Sequence, residues 1–371
     1  MEPLALTKAA LYTPFSLIME ATVLVDEGKI MAAGAAEQVA IPAGFREVPL
    51  EGLILAPGFI DQHIHGNGRA DVMDGRPQSL AEIARIQATH GVTAFLATTT
   101  AASRQSLLQV ARAYAELTTV NTYKGARCIG LHLEGPYLAP GKAGAHGQAN
   151  LRWPNLEEVM AVDEMSGHGV KMITMAPELP GAMEVARELR NGGITVSIGH
   201  SEGTYEAAQA AIMGGFSCAT HCFREWPPLE PRRPGALGAV LTNADLPIEL
   251  IVNGYDLHRA VIELAWKVKG PERIILASNG VPDGSPNSEA DPAREVLTLD
   301  AAVRNMLASV DADLADILRM ATYNPAKLLG VNKRKGSIYP GKDADIIALT
   351  TDLDVVMTMV EGEVISGLIS L

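Results

Sequence analysis

The stretch GLILAPGFIDQHIHG at residues 52–66 joins an apolar run to a pair of histidines. The run from Gly52 to Ile60 predicts a fully buried β-strand, and the histidines follow at its carboxyl end. Side chains alternate between the two faces of an extended strand, so His63 and His65 point to the same side and can share a metal ion. This strand end is therefore the first candidate metal-binding edge of the chain.

The composition is that of an ordinary soluble globular protein. The chain has 371 residues, of which 47% are hydrophobic and 20% charged, and its net charge of −13 argues against binding to a nucleic-acid backbone. No basic start followed by a long apolar run opens the chain, and no stretch approaches about 18 consecutive apolar residues, which predicts a cytoplasmic protein. The cysteines, Cys128, Cys218 and Cys222, are too few for a disulfide framework and are expected in the core.

Short β-prone runs occupy both ends of the chain. Near the start, two of them are joined by Asp26-Glu27-Gly28, which predicts a hairpin turn. Similar runs return near the end, after a glycine-rich loop. We therefore expect a small β-sandwich domain assembled from residues 1–52 and 335–371.

Residues 53–334 alternate between strand-like and helix-like segments, which gives eight βα units. Parallel strands of this kind close most economically into a (β/α)8 barrel, whose active site lies at the carboxyl ends of the strands. A doubly wound open sheet is the alternative, but no glycine-rich dinucleotide fingerprint follows the first strand. After the first strand, the predicted strands cover residues 92–98, 126–134, 170–177, 195–200, 216–222, 248–253 and 273–279. The predicted helices cover residues 79–91, 104–117, 182–190, 205–213, 258–267, 301–309 and 313–321.

Polar residues stand where several of these strands end, and a barrel would bring them to one mouth. They include four histidines and a glutamate, a nitrogen and oxygen set that zinc prefers and that iron, manganese or cobalt also uses. The sequence therefore predicts a metal centre at the carboxyl mouth of the barrel. In chain order, the strand-end residues are His63, His65, Glu134, His200, His221 and Asn279.

Several motifs resemble those of the amidohydrolase superfamily. They are PGFIDQHIHG at residues 57–66, KGSIYPGKDAD at residues 335–345 and the split β-domain. Within that superfamily, the chain is similar along nearly its whole length to the N-acetylglucosamine-6-phosphate deacetylases. The resemblance implies a hydrolase that removes acetyl from N-acetylglucosamine 6-phosphate or a related N-acetylhexosamine phosphate. The segments that carry it are LHLEGP at 131–136, GAH at 144–146, GHS at 199–201, TH at 220–221 and RRPG at 232–235.

The resemblance also implies roles for single residues. Glu134, His200 and His221 would bind one divalent ion, most readily zinc, while His63 and His65 would hold a second ion, as they do in some members. The family arginine that matches Arg232 often reaches a phosphate across a dimer interface, which implies a homodimer. The residues expected to contact substrate are His146, Cys222, Arg224, Arg232, Asp256 and His258.

The chain departs from the family pattern around the reacting centre. Where the family has an aspartate that carries a proton from water to the leaving amine, this chain has Asn279, whose amide cannot accept a proton near neutral pH. We therefore predict metal binding with impaired chemistry. Arg224-Glu225-Trp226 replaces the family's Asn-Ala-Met, and Asp256 stands where a substrate histidine is expected, with His258 two residues further on.

Three interpretations remain open at this point. The chain is a deacetylase of an N-acetylated amino sugar in which Asn279 was introduced to trap substrate, or a naturally diverged amidohydrolase of another small acylated compound, with Asp256 or a water chain as its proton shuttle. The third interpretation is a non-catalytic binding protein that kept its metal site. An aspartate codon at position 279 of the natural gene would favour the first, whereas the changed loops favour divergence in substrate.

Overall fold

Strands and helices alternate along the middle of the chain in the computed structural model, which describes residues 2–120, 122–283 and 296–367. The strands are β1 (Leu4–Tyr12), β2 (Leu17–Asp26), β3 (Lys29–Ala35), β4 (Arg46–Pro49), β5 (Ile54–Pro57), β6 (Phe59–Ile64), β7 (Gly66–Asn67), β8 (Ala70–Asp71), β9 (Val92–Thr99), β10 (Arg127–Glu134), β11 (Val170–Met175), β12 (Thr195–Ile198), β13 (Cys218–Ala219), β14 (Ile248–Leu250), β15 (Ile274–Leu276), β16 (Ile346–Leu349), β17 (Val355–Val360) and β18 (Glu363–Gly367). The helices are α1 (Pro77–Thr89), α2 (Arg104–Val120), α3 (Leu156–Met165), α4 (Ala182–Asn191), α5 (Tyr205–Gly214), α6 (Gly235–Thr242), α7 (Arg259–Lys269), α8 (Leu299–Ser309), α9 (Leu314–Ala321) and α10 (Tyr323–Leu328).

The larger sheet is a parallel barrel. Its strand order is β6, β9, β10, β11, β12, β13, β14 and β15, and each strand is followed along the chain by a helix. The last strand returns to the first, where the backbone N–H of Asn279 donates to the carbonyl of His63 at 2.9 Å and His65 donates to Gly280 at 2.8 Å. The predicted (β/α)8 barrel is therefore confirmed, and the open-sheet alternative is excluded.

A buried polar contact reinforces this closure. The hydroxyl of Ser278 donates to a carboxylate oxygen of Asp61 at 2.5 Å, and neither side chain is appreciably exposed. Burial raises the pKa of Asp61 to about 6, even though hydrogen bonds from Ser278 lower it. The contact fixes the first and last strands directly below the residues that follow them at the mouth.

The smaller sheet combines both ends of the chain, as predicted. Its order is β18, β17, β16, β5, β1, β2 and β3, with β4 beside β1, and it has a hydrophobic core of its own. Glu27 and Gly28 turn between β2 and β3 with φ values of 46° and 77°, which is the hairpin geometry expected there. Across the described ranges, none of the helices combines the length and apolar character needed to span a bilayer.

The single strand predicted from Gly52 to Ile60 is wrong in one respect, because the run divides between the two sheets. Strand β5 pairs with β1 and β16 of the smaller sheet, whereas β6 begins the barrel. Gly58 lies between them, and a Cβ atom there would come within 2.1 Å of the Thr93 side chain. Strand β5 therefore belongs to the smaller sheet, and the division of the chain after residue 52 stays a prediction.

Several other predicted elements differ in length or were missed. Three predicted strands are shorter in the structure. The strand predicted at 216–222 corresponds to β13, and those at 248–253 and 273–279 correspond to β14 and β15. They are shorter because the chain leaves the barrel at these points to form the mouth. Three helices, α3, α6 and α10, were not predicted. Helix α6 is almost entirely buried and apolar, so it has no polar face from which a helical period could be recognised.

The barrel closure predicts a stability effect for Ser278→Ala. Removing the hydroxyl leaves a buried carboxylate of Asp61 without its shortest hydrogen bond, so the free energy of unfolding should fall by about 1–3 kcal/mol. Thermal unfolding followed by circular dichroism measures the change. The control is Thr119→Ala, which removes an exposed hydroxyl bonded within its own helix. Equal melting temperatures for the two variants would contradict a closing role for Ser278.

Candidate metal centre

The carboxylate of Glu134 lies at the centre of the barrel mouth and is surrounded by imidazoles. The Nε2 atoms of five histidines come within 3.3 Å of its two oxygens, and Glu134 itself is only 2% exposed. The distances are 3.3 Å for His63, 3.0 Å for His65, 3.1 Å for His146, 3.3 Å for His200 and 2.9 Å for His221. All the predicted strand-end residues except Asn279 therefore meet at one point.

Backbone geometry at the strand ends aims these side chains inward. His200, His221 and Asn279 all follow short barrel strands and have positive φ values of 49°, 26° and 49°. Non-glycine residues rarely adopt this region, and such residues concentrate at functional sites that the surrounding structure holds in place. The turn at each position ends the strand and directs the following loop over the mouth.

Two overlapping groups of side chains have the spacing of metal ligands. One consists of His63, His65 and Glu134, and the other of Glu134, His200 and His221; within each group the donor atoms lie within 4.8 Å of one another. Imidazole nitrogens and a carboxylate form the donor set that zinc and related divalent ions use. Glu134 belongs to both groups, so its two oxygens can serve one ion or bridge two.

Hydrogen bonds fix the ring orientation of the four histidines in these groups. The Nδ1 atom of His63 faces Glu249 at 2.8 Å, and that of His65 faces the Thr98 carbonyl at 3.2 Å. His200 and His221 face the carbonyls of Lys142 and Arg224 at 2.6 and 3.1 Å. An acceptor at Nδ1 requires the proton there, which leaves the Nε2 lone pair free to bind a metal ion.

His146 has the opposite arrangement. Its Nδ1 accepts a hydrogen bond from the backbone N–H of Ala101 at 3.1 Å, so the proton of the neutral ring lies on Nε2, 3.1 Å from Glu134. Burial lowers the pKa of His146, which favours that neutral form. His146 is therefore suited to donate a hydrogen bond into the mouth rather than to bind a metal ion.

Glu134 and His63 are both buried, and each shifts the pKa of the other. Burial by itself would raise the pKa of Glu134, but the neighbouring His63 and His146 hold it well below its usual range. For His63, burial works against the charged form, yet Glu134 and Glu249 raise its pKa to about 10. A cation bound at His63 must displace this proton, so acid conditions oppose metal binding.

The mouth opens into a pocket that contains only part of the predicted substrate set. Arg224 and Asn279 line it together with His146. Glu225, which the sequence analysis noted but did not assign to the site, also lines it. The complete lining is His65, Thr100, Glu134, Ala145, His146, His200, His221, Arg224, Glu225, Asn279 and Val281.

The remaining predicted substrate residues lie outside this lining. Cys222 is buried, with 1% exposure, and burial raises the pKa of its thiol to about 12, so it packs in the core. His258 is exposed and caps α7 by accepting from the Ala260 backbone at 3.2 Å. Asp256 binds Arg224 at 3.2 Å and Asn253 at 2.8 Å, and Arg232 is exposed.

One buried residue near the metal ligands was missed in the sequence. Glu249 lies within β14, is fully buried and contacts His63. A lone acid inside the apolar run from Ile248 to Val252 is a usable signal, because a buried carboxylate requires a polar partner.

The fold and the centre together define a hydrolase barrel of the metal-dependent type. Residues 54–226 and 273–365 match the amidohydrolase family, and the chain belongs to that family. The match omits residues 227–272, which contain Arg232, Asp256 and His258.

Several relatives of the chain are deacetylases of amino-sugar phosphates. The N-acetylglucosamine-6-phosphate deacetylase of Lysinibacillus sphaericus is 33% identical over 86% of this chain and 88% of its own length. The N-acetylgalactosamine-6-phosphate deacetylase of Escherichia coli O157:H7 is 32% identical over 88% and 91%. A mutant N-acetyl-D-glucosamine-6-phosphate deacetylase of Mycobacterium smegmatis, solved in complex with N-acetyl-D-glucosamine-6-phosphate, has a TM-score of 0.89 at 27% identity and covers 98% of this chain and 100% of its own. The resemblance found in the sequence is confirmed.

The opposite ring orientation of His146 makes a prediction that needs no substrate. Nitrogen-15 spectra of histidine-labelled protein should show His146 protonated at Nε2, because the Ala101 N–H occupies Nδ1. The His146→Gln variant identifies the resonance. A proton found on Nδ1 of His146 would contradict this geometry and make the residue a potential ligand.

Proposed function

We propose that this amidohydrolase removes the acetyl group from an N-acetylated amino sugar, N-acetylglucosamine 6-phosphate or a related N-acetylhexosamine phosphate. The observation that carries the proposal is the buried Glu134 carboxylate shared by two histidine pairs, in a chain similar over most of its length to such deacetylases. The relatives include both gluco and galacto specificities, so the sugar epimer is left open. The alternatives are hydrolysis of another small acylated compound and a non-catalytic metal-containing protein.

The metal ligands in this proposal are His63, His65, Glu134, His200 and His221. They would hold one or two divalent ions, zinc being the best match to the donor set, with iron, manganese or cobalt as alternatives. When bound, such an ion polarises an amide carbonyl and lowers the pKa of a water molecule. We further propose a cytoplasmic homodimer.

Two residues of the mouth, His146 and Asn279, decide how well the chain would carry out the reaction. His146 presents an Nε2–H donor, which would stabilise the amide oxygen as negative charge develops on it. Asn279 lines the same pocket but has no group that can receive a proton from water and pass it to the leaving amine. The proposal therefore assigns weak turnover to the chain with Asn279.

Substrate charge would be recognised outside the metal centre. Arg224 lines the pocket, but its ion pair with Asp256 at 3.2 Å offsets part of its charge. Asp256, held by this pair, is a poor candidate for the proton shuttle. Arg232 is exposed outside the lining of its own pocket, which favours a role at the pocket of a partner subunit.

The ligand assignment predicts loss of metal from Glu134→Gln. The substitution removes the charge shared by both ligand groups, so most of the affinity should disappear. Elemental analysis of the purified protein measures the result. The control is Glu158→Gln, which removes a buried carboxylate paired with Arg152 at 2.6 Å, and this variant should keep its metal. Unchanged metal content in Glu134→Gln would reject the assignment.

The phosphate proposal predicts weaker binding by Arg232→Ala. Loss of a charge-assisted hydrogen bond should weaken binding of an N-acetylhexosamine phosphate by about 1.5–3 kcal/mol, as measured by calorimetry. The neighbouring Arg233→Ala is a matched control. Arg233 is also exposed, and its ion pair with Glu230 is long, at 3.8 Å. If the unphosphorylated sugar binds equally well and Arg232→Ala has no effect, the phosphate should be dropped. A monomeric variant should show the same loss if Arg232 acts across a dimer.

The proposal for Asn279 predicts that Asn279→Asp strongly increases the rate of deacetylation. The aspartate is nearly the same size and restores a proton carrier, so acetate release should rise by about 10² to 10⁴-fold with little change in substrate affinity. Both forms are compared at equal metal content on N-acetylhexosamine phosphates.

Glu225→Gln supplies the control for this experiment, because Glu225 is a second carboxylate of the pocket lining. If Glu225 already moves the proton, its removal abolishes the residual activity, and Asn279→Asp adds little. A substrate that binds, with no acetate released by any of the three forms, would contradict deacetylation.

A further inference from the structure

Glu249 connects the two ligand groups from beneath. One carboxylate oxygen lies 2.8 Å from Nδ1 of His63 and accepts the backbone N–H of His221 at 3.1 Å. The other accepts the side-chain amide of Gln62 at 2.7 Å. Glu249 has no exposed surface, so it can contact neither solvent nor substrate. It therefore acts only through the residues that it holds.

The acceptor at His63 differs from those at the other ligand histidines. His65, His200 and His221 face neutral backbone carbonyls through Nδ1, whereas His63 faces a carboxylate. A carboxylate acceptor orients an imidazole and makes its other nitrogen a stronger metal donor. The group that contains His63 thus has an electrostatic support that the other group lacks.

We propose that Glu249 is a positioning residue that determines whether the group formed by His63, His65 and Glu134 holds its own metal ion. It keeps the proton of His63 on Nδ1 and directs Nε2 toward Glu134, which lies 3.3 Å away. Its bond to the His221 backbone ties this group to the second one, at a residue with a φ of 26°. The inference rests on the metal ligation in the proposed function and extends it to a residue that binds neither metal nor substrate.

Glu249→Gln tests the charge while preserving the shape. The amide oxygen can still accept from His63 and His221, and the new NH2 group requires an acceptor. Gln62 can provide one by rotating its amide, because its Oε1 atom has no hydrogen-bond partner within the part of the chain that the structure describes. The variant is therefore expected to fold.

The experiment titrates zinc into metal-free protein, with calorimetry for affinity and nitrogen-15 histidine spectra for the proton position. The parent chain should bind two ions. In Glu249→Gln, the ion at His200 and His221 should bind as before, and the ion at His63 and His65 about 10- to 100-fold more weakly. The spectra should show a smaller fraction of His63 rings with the proton on Nδ1. The control is Asp300→Asn, which alters another buried carboxylate facing a histidine, His90 at 3.3 Å, outside the mouth. This control should bind both ions normally.

Three results would overturn the proposal. They are unchanged binding of both ions in Glu249→Gln, equal weakening of both ions together with a fall in melting temperature, and a parent chain that binds only one ion. Acetate release plays no part in the readout, so a failed deacetylation assay and a failed role for Glu249 are separate outcomes.

Discussion

The burial of Glu134 among imidazoles is the constraint on which the centre depends. A carboxylate removed from water is costly unless opposite charge or hydrogen bonds compensate it. Here His63 and His146 supply part of that compensation, and the Nε2 lone pairs of His65, His200 and His221 beside the carboxylate would bind a cation that supplies the rest. This requires residues from four separate strands to reach one point. A parallel barrel satisfies the requirement, because all its strands end at the same mouth. The barrel closure through Asp61 and Ser278 holds that mouth in register.

The same constraint explains where the barrel strands β12 and β13 end. His200 and His221 turn inward only because their backbones take up positive φ values, and such conformations cannot continue a strand. Their rings are then fixed by carbonyls of the loops that follow or cross the mouth, those of Lys142 and Arg224. The loops therefore do more than connect elements, since they decide which nitrogen of each ring faces the centre.

Much of the fold and most of the centre could be predicted because both follow from periodic patterns. Strand alternation placed His63 and His65 on one face, and the barrel topology brought Glu134 to them. The division between β5 and β6 was missed because Pro57 and Gly58 interrupt an otherwise continuous apolar run without changing its character. Substrate contacts assigned to loop residues, such as His258, depended on how the loop aligns with the family motif. No periodic pattern determines that alignment.

Other features depend on contacts between residues distant in the sequence. The orientation of His146 follows from the Ala101 backbone, 45 residues away, and the partner of His63 is Glu249, 186 residues away. No local pattern carries such information, although a lone acid in an apolar strand is a warning that a polar partner exists. The ion pair of Arg224 with Asp256 is likewise a product of two loops.

The central claim is that Glu134 organises a metal centre shared by two histidine pairs. Anomalous X-ray scattering from crystals grown with zinc, recorded on both sides of the zinc absorption edge, tests it most directly. The account predicts zinc peaks within bonding distance of Glu134, one beside His200 and His221 and one beside His63 and His65. The account would be contradicted by crystals in which zinc lies only at surface sites and the Glu134 carboxylate still contacts the imidazoles with no ion between them.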